Sequence, residues 1–193
     1  MKKLFIFILL VMCVSVFTTP KNFVNSIFWG TPVFAQRVPD IHNNRIDLDQ
    51  VPIDITAGWT NMPKSTIAQS DDEYFKGKMK WVINMDGPSC KATGIVREIK
   101  DLPMPEKVQI KVFPVDNFVT FIGFTDSKGN VGLYYPKNIK TMQWNTIDIN
   151  TSEILPFALN APKIEDIAKI AFVRDMTGGQ KKMNVYFDTI DFI

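Results

Sequence analysis

KIAFVR at residues 169–174, DMTGGQKK at 175–182 and NVYFDTIDFI at 184–193 form the stretch on which the fold turns. Two β-branched and aromatic runs on either side of Gly178-Gly179 read as strands joined by a turn, so the pattern predicts a β-hairpin that closes on the C-terminal strand. Chain ends fray unless a sheet holds them. Apolar residues continue here to Ile193, which predicts a final strand that is paired and packed.

Working back from that end, the same punctuation recurs. KMKWVINMD at 78–86 alternates, with Met79, Trp81, Ile83 and Met85 on one face and Lys78, Lys80, Asn84 and Asp86 largely on the other. KVQIKVF at 107–113 alternates again and turns Val108, Ile110 and Val112 inward. NFVTFIGFT at 117–125 is apolar on both faces, as expected of a central strand covered on both sides. It runs into Asp126-Ser127-Lys128-Gly129-Asn130, a strong hairpin loop. Residues 93–100, 131–135 and 142–150 add further strands, 154–159 is short and bounded by Pro, and 163–168 reads as a helical turn or a loop. Eight or nine strands without sustained helical periodicity predict an all-β, two-layer antiparallel β-sandwich over residues 53–193.

The chain has 193 residues, of which 46% are hydrophobic and 22% charged, ordinary values for one globular domain. Met1-Lys2-Lys3 followed by LFIFILLVMCVSVF at 4–17 is a basic n-region and an apolar run too short to span a bilayer comfortably, which reads residues 1–35 as a secretory signal cleaved after Val33-Phe34-Ala35. The competing reading is an uncleaved signal anchor, the one route by which the chain would meet a membrane. Met12 before Cys13 is not a small residue, which argues against lipidation. Residues 36–52 read as a linker or an edge segment. The expected product is secreted or extracytoplasmic, and losing Lys2, Lys3 and Lys21 takes the formal charge from +2 to −1. A near-neutral domain has no basic stripe to track a phosphate backbone, so nucleic acid is excluded as a partner.

Removal of the signal leaves Cys90 alone, so no intramolecular disulfide forms. The single histidine, His42, lies in the polar stretch 36–50 and reads as a solvated linker residue, which excludes a Ser-His-Asp triad and a His-based zinc site.

Gly77-Lys78-Met79-Lys80, Trp144-Asn145-Thr146-Ile147-Asp148-Ile149, Ile167-Ala168-Lys169-Ile170-Ala171-Phe172 and Val185-Tyr186-Phe187-Asp188-Thr189-Ile190-Asp191-Phe192 follow one another in an order that resembles the jelly-roll carbohydrate-binding modules of the galactose-binding-like superfold, found beside glycoside hydrolases. The resemblance covers nearly all of residues 53–193. It implies a jelly roll and a non-catalytic polysaccharide-binding role. It also implies a structural Ca²⁺ held between Asp54 and Asp188, although Thr189 stands where the family's closing pair has a second Asp.

A pyranose face needs a flat apolar surface with polar groups at its rim. The candidate carbohydrate-binding residues are Trp59, Phe121, Tyr134, Tyr135, Trp144 and Arg174, with Arg97, Lys111 and Asp148 also at the rim. Alternation sends one of Tyr134 and Tyr135 inward and the other outward. An enzyme reading would need a carboxylate pair on one face. Asp188 and Asp191 are three apart, so alternation places them on opposite faces, and the Glu-x-Asp-x-x-Glu pattern of sandwich glucanases is absent. No catalytic residue is expected. The alternative function is an extracellular protein-protein interaction or assembly module of the same fold, its aromatic patch meeting protein instead of sugar.

Overall fold

The computed structural model describes residues 44–48, 58–84, 92–176 and 182–193, all within the compact unit Gln36–Ile193. The signal segment, His42, Asp54, Met85, Cys13 and Cys90 lie outside the described residues. Twelve strands are described: β1 (Arg45–Asp47), β2 (Trp59–Asn61), β3 (Ser65–Gln69), β4 (Met79–Asn84), β5 (Ala92–Pro103), β6 (Lys107–Pro114), β7 (Phe121–Thr125), β8 (Val131–Tyr134), β9 (Asn145–Asn150), β10 (Leu155–Pro156), β11 (Asp166–Asp175) and β12 (Lys182–Phe192). A single 3-10 turn, Thr151–Glu153, follows β9.

Every pairing is antiparallel. The first sheet has the order β3-β4-β12-β6-β9, with β1 also on β12; the second has the order β10-β8-β7-β11-β5-β2. This is the predicted two-layer sandwich. The stretch 36–52 contributes β1, whose Ile46 pairs with Ile190 of β12.

The predicted terminal hairpin does not form. β11 pairs with β5 and β7 in the second sheet, and β12 with β4, β6 and β1 in the first. Residues 176–181 span about 20 Å when extended, ample for the roughly 10 Å between stacked sheets. Each run is the centre of its own sheet, which is why both are apolar on both faces. Three other limits shift: β5 runs on to Pro103, β7 begins only at Phe121, and β9 begins at Asn145.

The core is what the alternation in β4 and β6 predicts. Met79, Trp81 and Ile83 are buried from the first sheet with Val108, Ile110 and Val112 beside them, and they meet Ile122, Phe124, Ile170 and Phe172 from the second. Phe172 and Phe187 touch edge to face across the gap, with ring centroids 4.9 Å apart. Trp81 packs at 6.4 Å from Phe187, and its buried indole N–H donates to the Ser65 hydroxyl. Each such large apolar side chain contributes about 1.5–3 kcal/mol by leaving water.

β5 and β11 approach closely at Gly94, where an added Cβ would collide with the Phe172 carbonyl oxygen. Backbone cannot yield as a side-chain tip can, so Gly94→Ala must spread the two strands. We expect it to cost about 1–3 kcal/mol, seen in thermal unfolding as a fall of about 2–4 °C per kcal/mol in a domain of this size.

Candidate functional site

The solvent face of the first sheet carries an aromatic cluster. Residues 70–78 fold tightly, with Ser70 N–H donating to the Lys78 carbonyl (2.8 Å) and Gly77 N–H to the Ser70 carbonyl (2.9 Å). Gly77 takes φ 89°, a conformation most side chains resist. The loop lays Phe75 flat on Tyr186, at 3.9 Å and 12°, and against Phe113 at 4.8 Å. Trp144 reaches the cluster from the loop before β9. That loop is pinned by Asn145, whose side chain donates to the Lys140 carbonyl (2.8 Å) and accepts from Lys140 N–H (3.0 Å). Phe113 lies edge-on to Trp144 at 5.6 Å, and the ammonium groups of Lys78 and Lys111 each lie 5.4 Å from its ring centroid.

Those two lysines also hold Asp188, Lys78 at one carboxylate oxygen and Lys111 at the other, the latter at 2.6 Å. A β-bulge between Phe187 and Thr189 makes this possible, since an extra residue there resets the alternation. Asp188 and Asp191 therefore share the outer face, contrary to the opposite faces that simple alternation predicts. Asp191 is tied to Arg45 at 3.5 Å. With both oxygens of Asp188 on ammonium groups, the residue does not fit the role of a calcium ligand implied by the family resemblance. Among the described residues no group of three or more His, Cys, Asp or Glu is placed to hold a metal.

The outer face of the second sheet is built differently. Ile122 and Phe124, Ile170 and Phe172, and Ile95 and Arg97 point inward, so their neighbours point out. Register lines these neighbours up in three rows across the strands. The middle row is Leu133, Gly123, Ala171, Val96 and Thr60. On one side of it lie Phe121, Val173 and Gly94. On the other lie Val131, Thr125, Lys169 and Glu98, where Lys169 pairs with Glu98 at 3.0 Å. Val96, Val131, Leu133, Ala171 and Val173 are buried even though they turn away from the core between the sheets. At the rim, Tyr135 is 47% exposed, its ring 6.2 Å from that of half-buried Phe121.

The six candidate sugar-contacting residues thus divide. Phe121 and Tyr135 come together on the second sheet, while Trp144 stands on the opposite face of the sandwich. Tyr134 turns inward against the core, and burial, with Glu153 and Asp148 adding to it, pushes its phenol up. Trp59 is buried, 6.0 Å from Phe172, because β2 sets it opposite Arg97 on the inner side of the sheet. Arg97 is an interior residue, not a rim residue: its guanidinium lies 5.7 Å from the Trp59 ring centroid, and burial pushes its pKa down to about 10. Arg174 donates to the Phe118 carbonyl at 2.6 Å at one end of the sandwich. Phe75, Phe113, Tyr186 and Thr125 were not singled out by the sequence. Alternation with Phe187 and Phe124 carried the signal for Tyr186 and Thr125, whereas the placement of Phe75 depends on a loop.

No family model and no curated protein sequence matches the chain. Solved structures do. The solution structure of CtCBM11 matches with a TM-score of 0.54 at 16% identity, covering 82% of this chain and 98% of that one. An agarase crystal structure matches at 0.51 and 9% identity, covering 78% of this chain and 25% of that one. The family 11 carbohydrate-binding module of the cellulosomal cellulase Lic26A-Cel5E of Clostridium thermocellum matches at 0.48 and 15%, covering 84% and 97%. The domain shares the β-sandwich fold of the CtCBM11 and agarase structures.

Burial by itself would raise the Asp188 carboxyl; the hydrogen bonds and charges of Lys111 and Lys78 outweigh it and hold the carboxyl below its ordinary 3.8. Its contribution to stability is therefore complete above that value and is lost as pH falls through the lower folded pKa. Asp188→Asn should unfold at a lower temperature than wild type at neutral pH, with the gap closing in acid. Thermal unfolding from neutral to strongly acidic pH checks this, and a gap that persists in acid would assign the loss to something other than the carboxylate.

Proposed function

We propose that the protein is a secreted, non-catalytic module that binds a polysaccharide at the rim of the outer face of its second sheet, with Phe121 and Tyr135 as the rings against which sugar stacks. The observation that carries this reading is the pairing of these two rings at the rim of that face, 6.2 Å apart, with Tyr135 exposed and Phe121 half-buried. A sugar can lay its apolar face on these rings and keep its hydroxyl edges toward water. The sandwich fold shared with CtCBM11 supports the reading, and the basic residues Lys2 and Lys3 followed by the apolar run 4–17 support secretion.

The first sheet is the weaker site, because its ring faces are already used. Phe75 covers Tyr186, while Phe113 and two ammonium groups crowd Trp144. Calcium has no part in the proposal, since the Asp188 carboxylate is already paired. The exposed Tyr135 ring favours one second reading, a module that docks a protein partner at the same rim.

Retention of the purified protein on a panel of soluble and insoluble polysaccharides tests the proposal. Phe121→Ala and Tyr135→Ala should each weaken binding roughly tenfold, and Trp144→Ala should leave it unchanged. If Trp144→Ala alone reduced retention, the site would move to the first sheet. A folded protein retained by no glycan would favour the protein partner.

A further inference from the structure

We infer that Phe157 is a second sugar-stacking ring, so that the ligand is an extended chain lying along the β8–β10 edge of the second sheet and not a single sugar. This role for Phe157 presupposes that the Phe121–Tyr135 rim is the glycan site. β10 is the outermost strand of that sheet, with Leu155 opposite Leu133 and Pro156 opposite Gly132. Phe157 continues the register by one residue, its N–H donating to the Val131 carbonyl at 2.9 Å. Residues directly opposite one another share a face, so Leu155 and Phe157 point outward with Leu133 and Val131. The inner side agrees: a Cβ added at Gly132 would meet Ile154 and Ile164, which belong to the core.

Val131 and Leu133 are themselves buried, but the column at the edge beside them is not. Leu155 is 56% exposed and Phe157 39%, and Tyr135 follows two residues beyond Leu133 on the same face. Exposed apolar side chains scattered singly need no explanation. Here three stand together on neighbouring strands of one face, and two of them are rings. Tyr135 and the level of Phe157 are four residues apart along β8, about 14 Å at the rise of an antiparallel strand. That is farther than one pyranose ring reaches. An oligosaccharide spans it, with apolar ring faces on the two aromatics and Leu155 between them. The edge does not suit a strand added by a protein partner. Backbone groups alternate in direction along a strand, and Phe157 N–H turns to β8, so Pro156 faces the open side. An added strand would need an N–H there, and proline has none.

The experiment compares wild type, Phe157→Leu, Phe157→Trp and Tyr135→Ala as full-length proteins, measuring affinity for the best-retained polysaccharide together with the unfolding temperature. Phe157→Leu keeps an apolar side chain and removes the ring. It should bind about tenfold more weakly at an unchanged unfolding temperature, while Phe157→Trp binds at least as tightly as wild type. Unchanged affinity in Phe157→Leu while Tyr135→Ala binds poorly would overturn the second ring and leave the rim intact. Equal losses of affinity in Phe157→Leu and Phe157→Trp, or a marked fall in the unfolding temperature of Phe157→Leu, would also overturn it, by making the side chain structural. Absence of any glycan binding by folded wild type, or binding that none of the three variants alters, would instead bring down the rim itself, and the role of Phe157 with it.

Discussion

The edge-to-face contact of Phe172 with Phe187 is the interaction from which the rest of the architecture hangs. Each ring sits on the strand that organises its own sheet: β11 is paired on both sides, by β5 and β7, and β12 by β4 with β1 on one side and β6 on the other. Aligning those two strands face to face aligns every strand bonded to them. Trp59 and Trp81 then pack around the pair from opposite sheets. Interiors this closely packed tolerate little change of volume, which places the rigid part of the molecule between the sheets and leaves the outer faces freer to vary.

Those outer faces use aromatic rings in opposite ways. On the first sheet the rings cover one another and are edged by lysines, so the surface there is largely protein-satisfied. Burying a carboxylate such as Asp188 is costly unless charge and hydrogen bonds compensate, and the bulge in β12 brings it between two ammonium groups that do so. On the second sheet the rings stand at a rim, and the centre is made of Gly, Ala and Val.

The sequence spoke clearly where one face is wet and the other dry. Period-two alternation in residues 79–84 and 107–112 identifies the very side chains that fill the core, because a one-residue slip would expose all of them. It misled at the chain's end, since a Gly-Gly turn between two apolar runs looks the same whether the strands pair or cross between layers. Composition cannot distinguish those cases; only the double-sided burial of both strands could. Trp59 was readable as a candidate ring, yet its pairing with Arg97 is a long-range fact with no local trace. The bulge at Asp188 is similarly silent, and it alone decides that Asp188 and Asp191 share a face. Phe121 and Tyr135 were both readable as candidates, but their meeting depends on the way β7 and β8 pair around Asp126, whose carboxylate accepts from Asn130 N–H at 2.7 Å.

The place of β12 in the first sheet also sets the order in which the molecule can be made. Its partners β1, β4 and β6 all precede it, and without it they have no common neighbour. Synthesis therefore delivers β12 after all of its partners, and the first sheet cannot close until β12 has been made. Pairings between such distant segments require costly loop closure before any contact is gained, which slows assembly. Until then the earlier strands expose unpaired edges, which invite misassociation of the nascent chain.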